Sequence, residues 1–304
     1  MKYNKFMNGY LAIILAAIFW GLAAPVQKAA LSAFTPSTLS FWRFLLASLI
    51  FIVFYVWKKE KFPRDLKSIF KLFFISSLFS LGVAFYVNGL RLTTVSFAQV
   101  LSLSLPIFTS VGALIFLKEK VTKLQFFGFF LGLVGLSIII FVPIINSQNV
   151  SLGSTLGNTL ILLANLTMAG YFVGSRYVSS KFTSSTLTLG TLLSSLLIFF
   201  TLALIESKTG VVWIPSTLNI RHILEIVYLG LFGSVITFFL FQWGMKTAGA
   251  FFAGLSPYIQ FPVVVLSGVL FFGDKITPIF ITGALLSISG SVLASKLIKK
   301  SKGR

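Results

Sequence analysis

Apolar stretches about twenty residues long recur along this chain at 9–27, 37–57, 71–90, 95–117, 124–142, 156–176, 185–205, 223–243, 250–272 and 276–297. A helix rising about 1.5 Å per residue needs roughly 20 such residues to cross about 30 Å of hydrocarbon. Each window therefore predicts one transmembrane helix, and the polar gaps between them are too short for a soluble domain. The expected fold is an all-α polytopic membrane protein with ten transmembrane helices. The first window follows Lys2 and Lys5 and has the outline of a signal peptide. Its partner in the repeat described next, 156–176, lies mid-chain, so the first window reads as a retained helix.

The pattern is written twice. Residues 89–122 reappear 155 positions on: Gly89 over Gly244, Arg91 over Lys246, Phe97-Ala98 over Phe252-Ala253, Phe116 over Phe271, Glu119 over Asp274 and Thr122 over Thr277. Gly128 and Gly135 continue the register onto Gly283 and Gly290. Upstream the offset is 148, with Phe34-Thr35-Pro36 over Phe182-Thr183-Ser184 and Lys28 over Arg176; an insertion near 208–222 accounts for the difference. The units are 1–148 and 149–304, five helices each. Five is odd, so the second unit enters the membrane from the opposite face, giving two inverted five-helix repeats. Inverted repeats provide two near-equivalent packings, one open to each side, which is the basis of alternating access.

Composition sharpens this picture. Hydrophobic residues make up 57% of 304 positions and charged residues 10%, against about 25% charged in soluble proteins. The net charge of +19 comes from short basic clusters between spans. That pattern indicates topology and anionic lipid rather than nucleic acid. With both ends inside, 19 of the 25 basic residues collect on the inside, among them Lys58, Lys59, Lys61, Arg64, Lys67, Lys118, Lys120 and Lys123. Five fall outside: Lys28, Arg91, Lys208, Arg221 and Lys275. Amino and carboxyl termini are therefore expected in the cytoplasm, and a cysteine-free, lysine-rich chain fits a bacterial inner membrane. The absence of cysteine and the single histidine, His222, exclude disulfides and multi-histidine metal sites.

Phe19-Trp20-Gly21, the run from Trp42-Arg43 to Ala47, the Gly89-Leu90-Arg91 turn and Leu117-Lys118-Glu119-Lys120 resemble the drug/metabolite transporter superfamily, in its EamA-like branch. The resemblance covers nearly the whole chain and implies a small-solute carrier, often an exporter of amino acids or related metabolites. It implies a cavity formed by the first, third, fourth, sixth, eighth and ninth helices, with the fifth and tenth peripheral. Arg43 has Thr191 as its counterpart, and Trp20-Gly21 become Met168-Ala169, so the cavity is expected to be asymmetric.

Prolines within spans free backbone carbonyls, which in lipid need protein or water partners; such breaks therefore line cavities. Pro106 in the fourth span, with Pro257 and Pro262 in the ninth, are the candidate hinges or gates. Arg43 is the charge well inside a span, about 9 Å from its helix end. It either meets a substrate carboxylate or bonds helix-end carbonyls. Candidate substrate-binding residues are Trp20, Gln27, Arg43, Tyr86, Asn88, Gln99, Ser102, Asn165, Tyr171, Trp243, Tyr258 and Gln260. Glu60, Asp65, Glu119, Glu206, Glu225 and Asp274 all read as loop or helix-end carboxylates, none near mid-membrane. Glu119 and Asp274 are expected to cap interfacial turns.

This disfavours a carrier of cationic drugs and favours neutral or zwitterionic substrates, with any proton coupling through an end-of-helix group or the substrate itself. The expected function is secondary transport of an amino-acid-like metabolite, in the export direction. The alternative is a lipid or lipid-linked-sugar flippase of the same superfamily, with Arg43 and Lys28 at the headgroup. An enzyme is not expected, because no acid, base, nucleophile or metal cluster converges. No nucleotide-binding motif and no cofactor are expected either. The faces Gly128-x3-Gly132 and Gly283-x3-Ser287 suit packing of helices five and ten against the bundle or each other, or a homodimer.

Overall fold

The computed structural model describes residues 2–117, 122–145, 154–208, 213–215, 218–274 and 276–296; Lys118, Glu119, Lys120, Lys275, the joining segment 147–151 and the basic tail beyond Lys296 lie outside them. The described residues are helical, with no strand among them. The first repeat comprises α1 (Lys2–Ala30), α2 (Pro36–Trp57), α3 (Leu66–Arg91), α4 (Val95–Ser102), α5 (Leu105–Phe116) and α6 (Lys123–Ile145). The second comprises α7 (Thr155–Val178), α8 (Ser184–Ser207), α9 (Ile220–Gly230), a π-helical turn (Leu231–Ile236), α10 (Thr237–Ala248), α11 (Ala250–Gly254), α12 (Ser256–Phe272) and α13 (Pro278–Lys296). Among the described residues, eight stretches are long and apolar enough to span a membrane, and shorter apolar runs at Phe126–Gly135 and Pro278–Gly290 fall where spans five and ten are expected.

Helix starts are set by short polar side chains. Thr35, Asp65, Thr94, Ser154, Thr183 and Asn219 each accept a hydrogen bond from the backbone N–H three residues on. Each such cap contributes about 1 kcal/mol. The outer surface is apolar: Phe116 and its repeat partner Phe271 are 72% and 76% exposed. Serines, threonines and amides line the interior instead.

Packing between the halves follows the repeat. α1 lies along α10 and α12, while its counterpart α7 lies along α3 and α5. α2 pairs with α8, α4 with α12, and α6 with α13, each of these joining repeat-equivalent spans. Every major contact therefore has its mate under exchange of the halves, as two-fold pseudosymmetry requires. The α6–α13 pair packs backbone against backbone. A Cβ on Gly135 would lie 2.6 Å from Ser287 N, and one on Gly290 would lie 2.6 Å from Gly132 N. The two small-residue faces thus cover each other.

The sequence echoes turn out to be contacts at the helix ends. At one end of the α2–α8 pair, Thr35 Oγ1 and Ser37 Oγ each donate to the Glu206 carboxylate at 2.5 Å. At the other end, Thr183 Oγ1 donates to Glu60. Each threonine also caps the start of its own helix, so carboxylates at both ends clasp the pair reciprocally. Lys28 Nζ donates to Leu90 O at 2.6 Å and Thr93 O at 2.8 Å, closing the end of α3. Its counterpart Arg176 donates to Lys246 O at 3.0 Å, closing α10. Cations at helix C-termini satisfy free carbonyls and oppose the helix dipole. Asp274 Oδ2 accepts from Ser96 N at 2.9 Å. It is a cap, as the sequence suggests, but for α4 across the halves rather than for its own turn.

Two departures from the windows matter for the site. The fourth span breaks at Leu103-Ser104, before Pro106 in the first turn of α5; the ninth breaks at Leu255, before Pro257 in the first turn of α12. Pro257 thus opens α12 as Pro106 opens α5, though out of the 155-residue register, whereas Pro262 lies within α12 on an exposed face. The eighth span contains the π-helical turn, which the apolar window gives no sign of.

Candidate functional site

Arg43 is 5% exposed, and its guanidinium reaches from α2 across to the eighth span. The π turn makes this possible. Its wider i→i+5 geometry leaves carbonyls displaced from the regular ladder. Gly233 O accepts from both Arg43 Nη2 at 2.8 Å and Trp20 Nε1 at 3.2 Å. Arg43 Nε donates to Ser234 Oγ at 2.8 Å, Ser234 Oγ donates back to Leu229 O at 2.9 Å, and Arg43 Nη1 donates to Gln27 Oε1 at 3.1 Å. Three of the five guanidinium N–H groups are used in this way. None of these acceptors is a carboxylate, and the one ion pair among the described residues is Arg221–Glu225, elsewhere.

Arg43 lines a cavity of about 100 Å³ between the repeats. That is room for several waters or one small solute. Trp20, Gln27, Arg43 and Tyr86 line it from α1, α2 and α3, and Gln99, Ser102, Asn165, Pro257 and Gln260 line it from α4, α7 and α12. Most of the sequence-predicted binding residues are thereby gathered in one place. Ala23, Ala24, Phe79, Val83, Leu105, Met168, Phe172 and Ser256 complete the wall without having been singled out as binding residues. Met168 is the repeat partner of Trp20, so that pair lies on one cavity from both halves. The second helix contributes through Arg43, while the eighth is absent from the lining because its π turn is held against Arg43 and Trp20.

Several amides here also repair broken helices. Asn165 Nδ2 donates to Leu101 O at 2.9 Å and Ser104 Oγ at 3.0 Å, patching the α4–α5 break. Gln99 Nε2 donates to Pro257 O at 2.8 Å. Tyr258 lies off the cavity, with its hydroxyl on Leu103 O at 3.3 Å. Tyr171, Asn88 and Trp243 do not line the cavity either. Tyr171 is buried in a network with Thr191 and Gln242, Asn88 is exposed and donates to Ala84 O at 2.9 Å, and Trp243 is half-buried on α10. Ser256 Oγ differs from all of these: it is buried in the cavity wall and has no hydrogen-bond partner. Such an atom, in the same cavity wall as a guanidinium with N–H groups to spare, marks where a polar ligand would be accommodated.

Glu225 lies close to the start of α9, as a helix-end reading expects, but in its second turn and buried, 8% exposed, with Oε1 accepting from Arg221 Nε at 3.0 Å. The sequence places it at a window edge because Ile220-Arg221-His222 reads as loop, whereas Asn219 caps a helix that starts there.

The model of the EamA-like transporter family matches residues 7–141 and again 155–296. This chain belongs to the EamA-like transporter family. Among its relatives, the uncharacterized transporter YyaM of Bacillus subtilis (strain 168) is 28% identical over 97% of this chain and 96% of its own length. The uncharacterized inner membrane transporter YedA of Escherichia coli (strain K12) is 23% identical over 92% of this chain and 88% of its own. A protein of known crystal structure, 15% identical, has the same fold, with a TM-score of 0.70 over 97% of this chain and 98% of that one. This EamA-like protein is thus a multi-pass membrane transporter.

Proposed function

We propose that this EamA-like protein is a secondary carrier of a small zwitterionic, amino-acid-like metabolite, working by alternating access in the export direction. The observation that carries the reading is the inter-repeat cavity with one cation and no anion in its wall. Arg43 offers two remaining N–H donors to a substrate carboxylate, Ser256 Oγ and the amides offer neutral polar contacts, and Trp20, Tyr86 and Phe172 offer aromatic faces. A substrate ammonium meets aromatic rings and carbonyl oxygens there. A purely cationic substrate would be repelled by Arg43. Both termini lie in the cytoplasm on this reading, by the charge bias of the loops.

Counterflow into proteoliposomes with a panel of labelled amino acids, nucleosides and lipids tests it. Accumulation of amino acids that falls when a carboxylate is amidated is the expected result. Accumulation of lipid substrates alone would replace the carrier with a flippase, and steady ionic current without counterflow would replace it with a channel.

A further inference from the structure

The C-terminal ends of α5, α7 and α10 enclose a groove of about 590 Å³ that shares no residue with the cavity at Arg43. Arg176, Lys246, Ser179 and Ser180 line it with polar groups, and Phe116 and Tyr177 with aromatic rings. From this arrangement we propose that the groove binds the phosphate headgroup of an anionic phospholipid, with Arg176 and Lys246 as its cations.

Both cations have a structural duty that leaves donors to spare. Helix C-termini carry partial negative charge, and Arg176 Nη1 donates to Lys246 O at 3.0 Å, tying α7 to α10. That bond uses one of five guanidinium N–H groups. Lys246 Nζ comes within 3.5 Å of Phe182 O, which occupies one of its three donors. Ser179 Oγ is spent on Arg176 O at 2.7 Å, while Ser180 beside it is exposed. Among the described residues no carboxylate lines the groove, and the ion pair Arg221–Glu225 lies elsewhere. Lys71, on α3, adds a third positive charge, its Nζ 4.4 Å from the centre of the Tyr177 ring. Beyond Leu117 the chain reads Lys118-Glu119-Lys120, one more net positive charge. A guanidinium fork on one helix and an ammonium on the next match the oxygens of a phosphate diester.

The surroundings select a lipid over a free anion. Phe116 and Tyr177 are 72% and 60% exposed, and Leu114 and Ile115 continue that apolar surface along α5. Tyrosine rings at a span's end sit at headgroup level, where acyl chains begin. On the topology proposed above, this end faces the cytoplasm, the side on which basic pockets between helices hold anionic headgroups.

The repeat-equivalent place at the opposite end is built differently. Lys28, the counterpart of Arg176, directs its ammonium to Leu90 O and Thr93 O, and Asp274 is near enough to act on its charge. That cation is spent and partly neutralised, so the headgroup site belongs to one face of the membrane.

Native mass spectrometry of the full chain released from detergent, with phosphatidylglycerol or phosphatidylcholine of the same acyl chains, tests the site. Phosphatidylglycerol is expected to stay bound and phosphatidylcholine to leave. Lys246→Gln keeps the backbone carbonyl that Arg176 uses, and should lower retention about fivefold, the contribution of one basic residue near an anionic surface. Arg176→Gln should lower it at least as much, and Arg176→Lys should recover part of the loss. Lys208→Gln, which removes an exposed cation at the far end of α8, should leave retention unchanged. Equal retention of the two lipids, no loss in either glutamine variant of the groove, or an equal loss in Lys208→Gln would overturn the site. So would displacement of the lipid by millimolar inorganic phosphate, which would make the groove an open anion site. Counterflow plays no part in this readout, so the lipid site stands or falls apart from the carrier reading.

Discussion

Arg43 is held by geometry that no shorter cation can copy. Its fork spans Ser234 Oγ, Gly233 O and Gln27 Oε1 at once, and a lysine ammonium at the end of a flexible stem serves at most part of that set. Hydrogen bonds from charged groups contribute about 1.5–3 kcal/mol each. Arg43→Lys should therefore lower counterflow by about 10- to 100-fold at unchanged membrane abundance. Ser234→Ala, which removes one acceptor, should cost about tenfold or less. At this scale the sequence was informative in part. A charge inside an apolar span announces itself, and Arg43, Gln99 and Asn165 were visible as polar residues in lipid-length windows. Ser256 and Gly233 were not, because small residues in a membrane helix carry no signal of which will be left unpaired or displaced by a π turn. The burial of Glu225 is not legible in the sequence, because the helix start depends on the Asn219 cap, a single side-chain hydrogen bond.

Among the elements, α6 and α13 test the meaning of the small-residue faces. Gly290 faces backbone atoms of α6 alone, and Gly135 faces the α13 backbone at Gly283 and Ser287 together with the Ser287 hydroxyl. Gly290→Val should separate the two helices, cost at least about 2–3 kcal/mol of overpacking strain, and lower the thermal midpoint seen by tryptophan fluorescence; Gly273→Asn, at φ +68 where asparagine is tolerated, should have a small effect. The α2–α8 clasp makes a second test. In a double-mutant cycle of Thr35→Val with Glu206→Gln, the pair should lose less than the two single changes summed, with a coupling of about 1–2 kcal/mol. At the start of α3, hydrogen bonds from the Ser68 hydroxyl and then its backbone N–H hold the Asp65 carboxyl below its usual range. The sign follows: that cap is fully present above the ordinary carboxylate value of about 4 and is lost only as pH falls below it. Amide exchange at the first turn of α3 should accordingly be pH-insensitive, once corrected for intrinsic rates, until strongly acid conditions.

For the whole molecule, the fold was legible because lipid imposes length and apolarity on every span, and duplication wrote the pattern twice. The breaks were legible only approximately. Proline marks where a ladder loses a donor, yet Pro262 lies in an unbroken helix while Pro257 opens one. Surface labelling of single cysteines introduced into this cysteine-free chain should place both termini on the cytoplasmic side, as the loop charges require. Opposite placement of the two ends would contradict the pseudosymmetry itself.

The clasps of Glu206 on Thr35 and of Glu60 on Thr183 are closed at the same time. If the proposed carrier alternates between two open states, a helix pair clasped at both ends is expected to move least, as a pinned axle about which the other helices tip. Spin labels across that pair should report one fixed distance throughout the cycle, while labels flanking the cavity on α4 and α12 should split into two.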